Sequence, residues 1–365
     1  MDFAVRFANT ALVISRWFPG GDSLEAAGAA QEELHARANQ ALRDHFGRRV
    51  FVRAVVEVSN FCRENCHYCG MRRDNRGLAR RREDPEVLAE LLIRRRPGAI
   101  TDVNIQAGED PVAVREVVLP LVRTLRRETN LGISVCLGTL SQGLSSELQE
   151  AGASTYIVKF ELADPALYET LEAPGTLEER ITYIRWLAEQ GWNVSSGFIA
   201  GLPGLGISSM LQNIRMAAAL PLIGCSVSPF VSGAETPLGG APQASIDLTL
   251  NCMASLRLMR PDWVIPAVSA LNLSAPHGGY LRGLRAGANL CTINLTPEAM
   301  REEYVIYKRD RFIMTEERVL AAIESADLEP SSTSLASHFA ACRSVAAFHE
   351  AATAGPGYAG PEDAV

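Results

Sequence analysis

The sequence predicts an α/β fold, a complete (β/α)8 TIM barrel with an N-terminal helical extension and a flexible C-terminal tail. Eight short apolar runs alternate with helix-like segments, and strands of a parallel sheet are apolar because crossover helices bury both of their faces. The 365 residues exceed the roughly 250 of a typical barrel and leave room for extensions. We therefore expect a helical extension over 1–48, a barrel over 49–326 and a C-terminal extension over 327–365.

The predicted strands and helices alternate along the whole barrel region. Strands are expected at 51–58, 101–106, 132–137, 154–161, 193–200, 223–230, 262–268 and 288–294. Helices are expected at 24–46, 84–96, 111–129, 145–151, 176–190, 207–219, 247–259, 277–286 and 315–324. The first helix is rich in Ala and Leu and stops at Gly47. The last residues, 351–365, are rich in Ala, Gly and Pro and are expected to be disordered.

The composition argues against several classes of protein. Hydrophobic residues make up 47% of the chain, and the net charge of −7 argues against a nucleic-acid partner held by bulk charge. No apolar run reaches the ~18 residues of a membrane helix, and residues 1–20 lack the apolar centre of a signal peptide. Eight cysteines in a chain of this length do not suggest a disulfide framework. We expect a cytoplasmic protein without a membrane or nucleic-acid partner.

Three cysteines, Cys62, Cys66 and Cys69, follow the first predicted strand with the spacing C-x3-C-x2-C. Three thiolates on one loop can hold three irons of a 4Fe–4S cluster, whose usual complement is four. The fourth iron is then open for chemistry. Two alternatives remain: a zinc site that includes His67, although zinc sites usually have a second ligand pair, and cysteines without a metal.

A basic cluster follows the cysteines and consists of Arg72, Arg73, Arg76, Arg80, Arg81 and Arg82. It predicts a solvated helix start or, as the alternative, a contact for an anionic ligand or a redox partner.

Polar and Gly residues concentrate after the predicted strands. In a barrel the active site lies at the C-terminal ends of the strands, and the cysteine loop lies there because it directly follows the first strand. Other predicted strands deliver further residues to the same end: 106–110, Gly138 and Thr139, Glu161, 201–204 and Ser269 onward. The pattern predicts one site built around the cysteines.

The segment SNFCRENCHYCGMRRDN at 59–75 resembles the radical S-adenosylmethionine (SAM) superfamily. Within it, the segment is similar to the branch that holds the hydrogenase maturase HydE and the methylornithine synthase PylB, with biotin synthase more distant. Further similar segments follow in order: NIQAGED at 104–110, GFIAGLPG at 197–204, PFVSGAETPL at 229–238, GLRAGANL at 283–290 and NLTPEAMREEYVIY at 294–307. The resemblance covers about residues 25–310.

The resemblance implies two cofactors, a 4Fe–4S cluster and SAM. Cys62, Cys66 and Cys69 would ligate three irons, and the amino and carboxylate groups of SAM would chelate the fourth. One-electron reduction, by a donor such as flavodoxin or ferredoxin, would cleave SAM and generate a radical that abstracts hydrogen from an unactivated carbon. The cofactor carries this step, and the barrel supplies orientation and excludes water.

The resemblance also implies residues that hold SAM. Tyr68 would contact the adenine, with a packing aromatic as the alternative. Gly108 and Glu109 would meet the methionyl ammonium, and Ile199 and Leu202 would flank the adenine, where nearby glycines allow close backbone approach.

Glu161 and Arg180 are the remaining predicted SAM contacts. Glu161 ends an apolar strand, where a lone carboxylate is costly without a partner, and the resemblance places it on the ribose or amine side. Arg180 can clamp a carboxylate through two hydrogen bonds, and the resemblance places it on the methionyl carboxylate. The alternative is a mutual salt bridge between the two.

The sequence departs from the named relatives near the predicted substrate chamber. Cys136 stands where biotin synthase has one ligand of an auxiliary cluster, but Ser196 replaces another, so sulfur insertion is disfavoured. Gly138 and Thr139 replace the Gly-Glu of the maturase, and residues 307–312 do not continue its usual ending. We therefore expect a different substrate.

The predicted chamber residues are small, neutral and able to hydrogen-bond. They suit a small, amino-acid-derived substrate, although Ser and Asn are equally common in turns. The candidate contacts are Thr139, Ser269, Asn272 and Thr292, with His277 more probable at a helix start. The predicted reaction is a rearrangement or a C–C bond cleavage. The alternatives are metallocofactor assembly and, less favoured, sulfur insertion.

Overall fold

The computed structural model describes residues 18–233, 235–276, 278–307 and 313–343. Seven parallel strands form one sheet in the spatial order β6-β5-β4-β3-β2-β1-β7. They are β1 (Arg49–Ser59), β2 (Asp102–Ala107), β3 (Gly132–Cys136), β4 (Thr155–Ile157), β5 (Asn193–Ala200), β6 (Gly224–Pro229) and β7 (Leu290–Asn294). A two-residue strand, β8 (Glu329–Pro330), pairs with the start of β1. The α/β class and the parallel sheet are as predicted.

The complete (β/α)8 barrel is not confirmed, because the predicted strand at 262–268 does not form. This segment makes two isolated parallel bridges instead, one from Val264 to Gly224 of β6 and one from Pro266 to Leu290 of β7. Proline has no N–H to donate to a strand ladder, so Pro266 interrupts the regular pairing. The apolar pattern of the segment is that of a strand, but its proline prevents one.

The helices lie between the strands, as crossover connections require. They are α1 (Gly21–Leu24), α2 (Ala29–Phe46), α3 (Pro85–Arg94), α4 (Pro111–Ala113), α5 (Leu119–Glu128), α6 (Gln142–Ala151), α7 (Pro165–Thr170), α8 (Leu177–Glu189), α9 (Ile207–Ala219), α10 (Ile246–Met259), α11 (Ala270–Ser274), α12 (Gly279–Arg285), α13 (Glu298–Glu303) and α14 (Glu316–Ser325). A π-helical turn, Val114–Val118, joins α4 to α5. The predicted helix at 24–46 is split, because Gly28 adopts a φ of +53° that does not belong to a helix.

Side-chain caps set the starts of the helices that position the site. Asp110 accepts a hydrogen bond from the N–H of Val112 at the start of α4. Thr176 and Glu179 form a reciprocal capping box at the start of α8. Arg180 lies one residue further along, so the capping box fixes the helical turn from which its side chain extends. Pro residues at the first turn of α4 and α7 fit the same pattern.

The C-terminal segment closes the end of the sheet where the strands begin. Residues 335–343 are helical, and the N–H of Leu335 donates to both carboxylate oxygens of the buried Asp102 at 3.1 and 3.0 Å. An apolar cluster, called the floor below, forms around this contact: Phe46, Phe51, Val264, Leu290, Leu335 and Phe339. The expected disorder of 351–365 and the residue His277 lie outside the described residues. Within the described part of the chain, every helix is too short or too polar to cross a membrane.

Candidate active site

A cavity of about 340 Å³ is lined by residues of the parallel strands and of the loops that follow them. The cysteine loop, residues 60–83 after β1, lines one end of it, and Leu335 and Phe339 of the floor line the other. Most of the predicted site residues line this cavity: Cys62, Cys66, Tyr68, Cys69, Gly108, Glu109, Glu161, Arg180, Ile199, Ser269 and Thr292. Three predicted residues, Leu202, Thr139 and Asn272, are not part of its lining.

The segment after α7 anchors the cysteine loop from one side. The N–H of His67 donates to the carbonyl oxygen of Leu171 at 2.9 Å, and Asn65 Nδ2 donates to Glu172 Oε2 at 2.8 Å. The imidazole of His67 also contacts Glu172, with Nε2 and Oε1 3.2 Å apart. His67 is therefore engaged in holding the loop rather than being gathered with the cysteines.

The turn after β2 packs directly against the other side of the loop. The N–H of Gly108 donates to the carbonyl oxygen of Ser59 at 3.1 Å, and the N–H of Glu109 donates to Cys62 Sγ at 3.4 Å. A Cβ atom on Gly108 would lie 2.2 Å from the carbonyl oxygen of Phe61. Only glycine fits this approach, so the Gly-Glu pair brings a main-chain donor up to the first thiol.

The three thiols are held in a poorly solvated environment. Cys66 is 6% exposed, and Cys62 and Cys69 are partly exposed to the cavity. Burial raises the pKa of the Cys66 thiol well above its ordinary value. Burial and the neighbouring Cys62 raise the pKa of Cys69 to about 12. Bound cations reverse this cost, because metal coordination deprotonates a thiol.

The arrangement of the thiols fits a cluster better than a single ion. Among the residues that the structure describes, no three His, Cys, Asp or Glu side chains are close enough to hold one metal ion together. A zinc site requires such a group. A 4Fe–4S cluster does not, because each thiolate binds a different iron. The donor set of Cys62, Cys66 and Cys69 therefore suits the cluster that the spacing predicts.

Glu109 lies between two guanidinium groups. Arg180 Nη2 donates to Glu109 Oε1 at 2.8 Å, and Arg63 Nη2 donates to Oε2 at 3.1 Å. Arg180 is 3% exposed, whereas the Arg63 side chain is 51% exposed. Gly138, with a φ of +71°, leaves room for this carboxylate, since a Cβ there would lie 2.1 Å from Glu109 Cγ. The alternative salt bridge between Arg180 and Glu161 is not observed.

Glu161 lies four residues after β4, where it makes an isolated bridge to Phe198 of β5, and its backbone is left-handed with a φ of +64°. Its main chain is fixed against β5, because its N–H donates to Gly197 O at 3.1 Å and its carbonyl accepts from Ile199 N at 2.9 Å. A non-glycine residue in this conformation is uncommon and is often found at functional sites. Burial raises the pKa of the Glu161 carboxyl, although Lys159 and Arg180 oppose this. Glu161 thus contributes a carboxyl group with weakened acidity to the cavity lining.

Two polar atoms near the cysteines lack a hydrogen-bond partner among the described residues, Tyr68 Oη and Arg180 Nε. The Tyr68 hydroxyl lies close to the Cys66 thiol and has no nitrogen or oxygen partner there. Buried donors without partners are rare and costly. Both residues belong to the lining of the cavity, although these two atoms are themselves enclosed by protein.

The four predicted substrate residues have different surroundings. Ser269, just before α11, lines the cavity, as does Thr292, whose Oγ1 accepts from Arg53 Nε at 3.1 Å. Asn272 Nδ2 instead donates to Met314 Sδ at 2.9 Å, and its Oδ1 accepts from a helix N–H. Thr139 contributes its carbonyl oxygen to Arg63 at 2.8 Å.

Leu202 belongs to an apolar cluster behind the cysteine loop. It is 1% exposed and packs in one cluster with Cys66, Tyr68 and Ile199. Ile199 lines the cavity, whereas Leu202 does not. Leu202 therefore supports this wall of the cavity from behind.

Two cavity cations were missed in the sequence, Arg53 of β1 and Lys159 after β4. Arg53 donates to Thr292, and Lys159 Nζ donates to Ser228 Oγ at 3.3 Å. Neither forms an ion pair with a carboxylate of the described residues. Burial lowers the pKa of Lys159, but the negative charge of the nearby Glu161 and of other groups outweighs it, so that the pKa is raised. The available signal was a single cation inside each of two apolar strand patterns, where the side-chain period of two directs it inward.

Comparisons with known proteins agree on one family. Residues 56–217 match the model of the radical SAM superfamily. The chain is 33% identical over 276 residues to the [FeFe] hydrogenase maturase subunit HydE of Thermotoga maritima, covering 76% of this chain and 79% of that one. It is 28% identical over 281 residues to the 3-methylornithine synthase of Methanosarcina barkeri, covering 76% and 79%.

Solved structures show the same fold. The crystal structure of methylornithine synthase (PylB) superposes with a TM-score of 0.78 at 24% identity, covering 91% of this chain and 99% of that one. The structure of the FeFe-hydrogenase maturase HydG from Carboxydothermus hydrogenoformans superposes with a TM-score of 0.72 at 18% identity, covering 91% and 81%.

Proposed function

This chain belongs to the radical SAM superfamily, and from that premise we propose that it abstracts hydrogen from a small, amino-acid-derived substrate and so drives a rearrangement or a C–C bond cleavage. It is a radical SAM enzyme, and its relatives use a 4Fe–4S cluster and SAM, which supply a hydrogen-atom abstractor when bound. The observation that carries the proposal is that one cavity is lined by the three cysteines at one end and by Arg53 and Lys159 further inside. Neither cation forms an ion pair with a carboxylate of the described residues.

At the cysteine end, we propose that Cys62, Cys66 and Cys69 hold the cluster. Arg180 and Glu109 would hold the methionyl part of SAM, with Glu109 fixed in place by its two guanidinium partners. The planar guanidinium of Arg180, a residue of the cavity lining, supports a contact with the methionyl carboxylate. Gly108 would bring its main chain close to the same group.

The adenosine part of SAM would lie along the wall made by Tyr68, Glu161 and Ile199. The Tyr68 hydroxyl supports this assignment because it is buried and lacks a described nitrogen or oxygen partner. Glu161 would accept from the ribose or the amine side. Leu202 would act indirectly, by keeping Ile199 and Tyr68 in position.

Deeper in the cavity, Arg53 and Lys159 favour a substrate with a carboxylate group. The hydrogen bond to the Thr292 hydroxyl is the one side-chain contact of this kind that Arg53 makes with the described residues, and the guanidinium retains donors for a carboxylate. Lys159 and the hydroxyl of Ser228 lie on the same cavity and would add a second polar anchor. A volume of about 340 Å³ is at the small end for a ligand pocket, which favours a small molecule over a peptide.

We also propose that the sheet functions as a complete barrel over 49–326, with 1–48 and 327–365 as extensions. The irregular segment that replaces the predicted strand supports this, because it bonds to strands on both sides. Val264 N–H donates to Ile223 O at 3.0 Å, and Ala267 N–H donates to Leu290 O at 2.9 Å. A closed ring would keep water away from a reactive intermediate.

The enzyme requires a reductant, and we propose flavodoxin or ferredoxin in the cytoplasm. The half-exposed Arg63 and Arg73 side chains lie on the cysteine loop and support docking of an acidic electron donor.

The test is anaerobic reconstitution with iron and sulfide, followed by incubation with SAM, dithionite and deuterated candidate amino acids. We expect a cluster absorbance band, SAM cleavage and deuterium in 5′-deoxyadenosine when the substrate is present. Absence of reductant-dependent SAM cleavage from a protein that has bound iron would contradict the proposal.

Arg53→Gln tests the substrate end separately. Loss of a charge-assisted hydrogen bond predicts a KM for the labelled substrate about 10- to 100-fold higher, with SAM cleavage in its absence unchanged. Arg49→Gln is the matched control, since Arg49 is exposed on the same strand. An unchanged KM in Arg53→Gln would leave the carboxylate assignment without support.

The 33% identity to a hydrogenase maturase subunit favours a second candidate, the processing of a metal-bound small ligand for a partner protein. Label transfer from a free amino acid would argue against it, and copurification with a metalloenzyme would favour it.

Sulfur insertion has less support. Cys136 lines the cavity, but Ser196, at the second position of the expected ligand set, is buried and donates to Val158 O at 2.8 Å.

A further inference from the structure

Arg80 differs from its neighbours in the basic cluster in the number of main-chain carbonyls that it serves, since Arg72 and Arg73 each donate to one carbonyl oxygen of the cysteine loop. Its guanidinium donates to four main-chain carbonyl oxygens of that loop over 2.5–3.3 Å. Nη1 serves the oxygens of Asn60 and Met71, and Nη2 serves those of Arg72 and Asn75. Such convergence on main-chain carbonyls identifies a group that organises a loop.

The four carbonyls flank the ligand cysteines on both sides. Asn60 precedes Cys62, and Met71 follows Cys69 directly. One guanidinium therefore ties together the two ends of the segment that carries all three thiols. The side chain of Asn75 reinforces the second end, since its Nδ2 donates to Gly70 O at 2.7 Å.

The chemistry of arginine suits this position better than that of lysine. The planar guanidinium offers five N–H donors in a fixed geometry, and it can serve four acceptors that lie in different directions. A lysine ammonium has three donors on a flexible stem and cannot reach all four. Without Arg80, buried carbonyl oxygens would be left without this donor.

Arg80 also places a positive charge next to the thiols. No carboxylate of the described residues forms an ion pair with it. Burial lowers the pKa of Arg80, and the nearby Cys62 and Cys69 act in the opposite direction. Arginine remains protonated in proteins. The reduction potential of an iron–sulfur cluster depends on nearby charge and hydrogen bonds, and a nearby cation favours the more negative, reduced form.

We propose that Arg80 is a positioning residue for the cluster, which holds the cysteine loop in its ligating shape and raises the reduction potential of the cluster. This inference rests on the proposed binding of the cluster by Cys62, Cys66 and Cys69. It assigns two separable roles, a geometric one that requires the guanidinium fork and an electrostatic one that requires only a positive charge.

Three variants separate these roles. Arg80→Lys keeps the charge and loses the fork, whereas Arg80→Gln loses both. Arg76→Gln is the matched control, because Arg76 is an exposed residue of the same loop and its substitution removes the same positive charge. The measurements on each reconstituted full-length chain are iron per chain, the rate of iron loss to a chelator, and the midpoint potential of the cluster by EPR-monitored redox titration.

We expect Arg80→Lys to lose iron several-fold faster than the wild type, with the potential of the remaining cluster close to the wild-type value. Arg80→Gln should lose iron equally fast and shift the potential downward, and Arg76→Gln should change neither. Wild-type iron retention in Arg80→Lys would overturn the geometric role. A wild-type potential in Arg80→Gln would overturn the electrostatic one.

Two further results keep the proposals distinct. If the wild-type chain itself binds no cluster, the proposed function fails together with this inference. If the wild type binds a cluster and all three variants match it, only the inference fails. Circular dichroism of each variant before reconstitution checks folding. If Arg80→Gln does not fold, Arg80→Lys alone decides: fast iron loss with the wild-type potential supports the proposal, and iron loss as slow as in the wild type overturns it.

Discussion

Strand β2 has a buried aspartate at each end, and the two are held in opposite ways. Asp110, just after the strand, accepts two hydrogen bonds from Arg82 at 2.7 and 3.0 Å and one from Ser59 at 2.6 Å. Asp102, which begins the strand, accepts instead from the main chain of the C-terminal segment and from Thr101. The first lies at the cysteine end of the cavity and the second at the floor.

The difference extends to the surroundings of each aspartate. The cysteine end is organised by ion pairs and by arginines bonded to the main chain, whereas the floor is closed by apolar and aromatic side chains. A site with paired charges is preorganised for a charged ligand, while an apolar floor excludes water without binding one. The comparison predicts that SAM cleavage depends on the cysteine end of the cavity and not on the floor, and four changes test the difference between the two ends.

Loss of one cysteine should have the largest effect. Cys66→Ala should reduce SAM cleavage to background, because one iron of the cluster loses its thiolate. The measurement is 5′-deoxyadenosine formed under dithionite by chromatography. Cys342→Ala, which removes an exposed cysteine beside the floor, should leave the rate unchanged. Equal activity in both variants would mean that the two ends do not differ as described.

The ion pair beneath the cysteine loop gives the second effect. Arg180→Gln leaves the Glu109 carboxylate without its buried partner, and breaking a buried pair costs about 3–5 kcal/mol in free energy of unfolding. Arg63→Gln removes the exposed partner of the same carboxylate and should cost less than about 1 kcal/mol. Urea unfolding measures both. Similar costs would show that burial does not distinguish the two arginines.

The floor gives the third effect, through packing alone. Phe339→Ala should lower the free energy of unfolding by about 3 kcal/mol, since the ring is 6% exposed and lies in the apolar cluster. Val87→Ala, at a side chain 52% exposed, should change it by no more than about 0.5 kcal/mol. SAM cleavage by the Phe339 variant, once folded, should match the wild type. A selective loss of SAM cleavage would place chemistry at the floor as well.

The sequence predicts the cysteine end of the site better than the rest. The cysteine spacing is local, so Cys62 could be proposed as a ligand without a fold, whereas the proposal for Gly108 also needed its position after the second predicted strand. The partner of Arg180 could not, because the choice between Glu109 and Glu161 depends on how three loops pack after their strands. Local pattern thus predicts which groups are present, and packing decides which of them pair.

Two other predictions failed for different reasons. Arg53 was not singled out, because the side-chain period of a strand shows which face a cation shares but not whether that face meets solvent or a cavity. The predicted strand at 262–268 was wrong, because its apolar composition was given more weight than Pro266, which removes a donor that regular pairing needs. Only the packed structure could identify the cavity that Arg53 faces, whereas the proline was visible in the sequence.

The two aspartates give the smallest effect and the most direct test of the comparison. Burial raises the pKa of Asp102, although hydrogen bonds from Leu335 and Thr101 oppose it. Burial also acts on Asp110, but hydrogen bonds from Arg82 and Ser59 outweigh it and lower the pKa. The ordinary value for both is 3.8.

These opposite shifts predict opposite dependences on pH. The contribution of Asp102 to stability is fully present below pH 3.8 and is lost as the pH rises through its raised folded pKa. The contribution of Asp110 is present above pH 3.8 and is lost as the pH falls through its lowered folded pKa. Urea unfolding of the wild type, Asp102→Asn and Asp110→Asn across this range should therefore give difference curves of opposite slope. Slopes of the same sign would mean that the two ends of β2 are electrostatically alike.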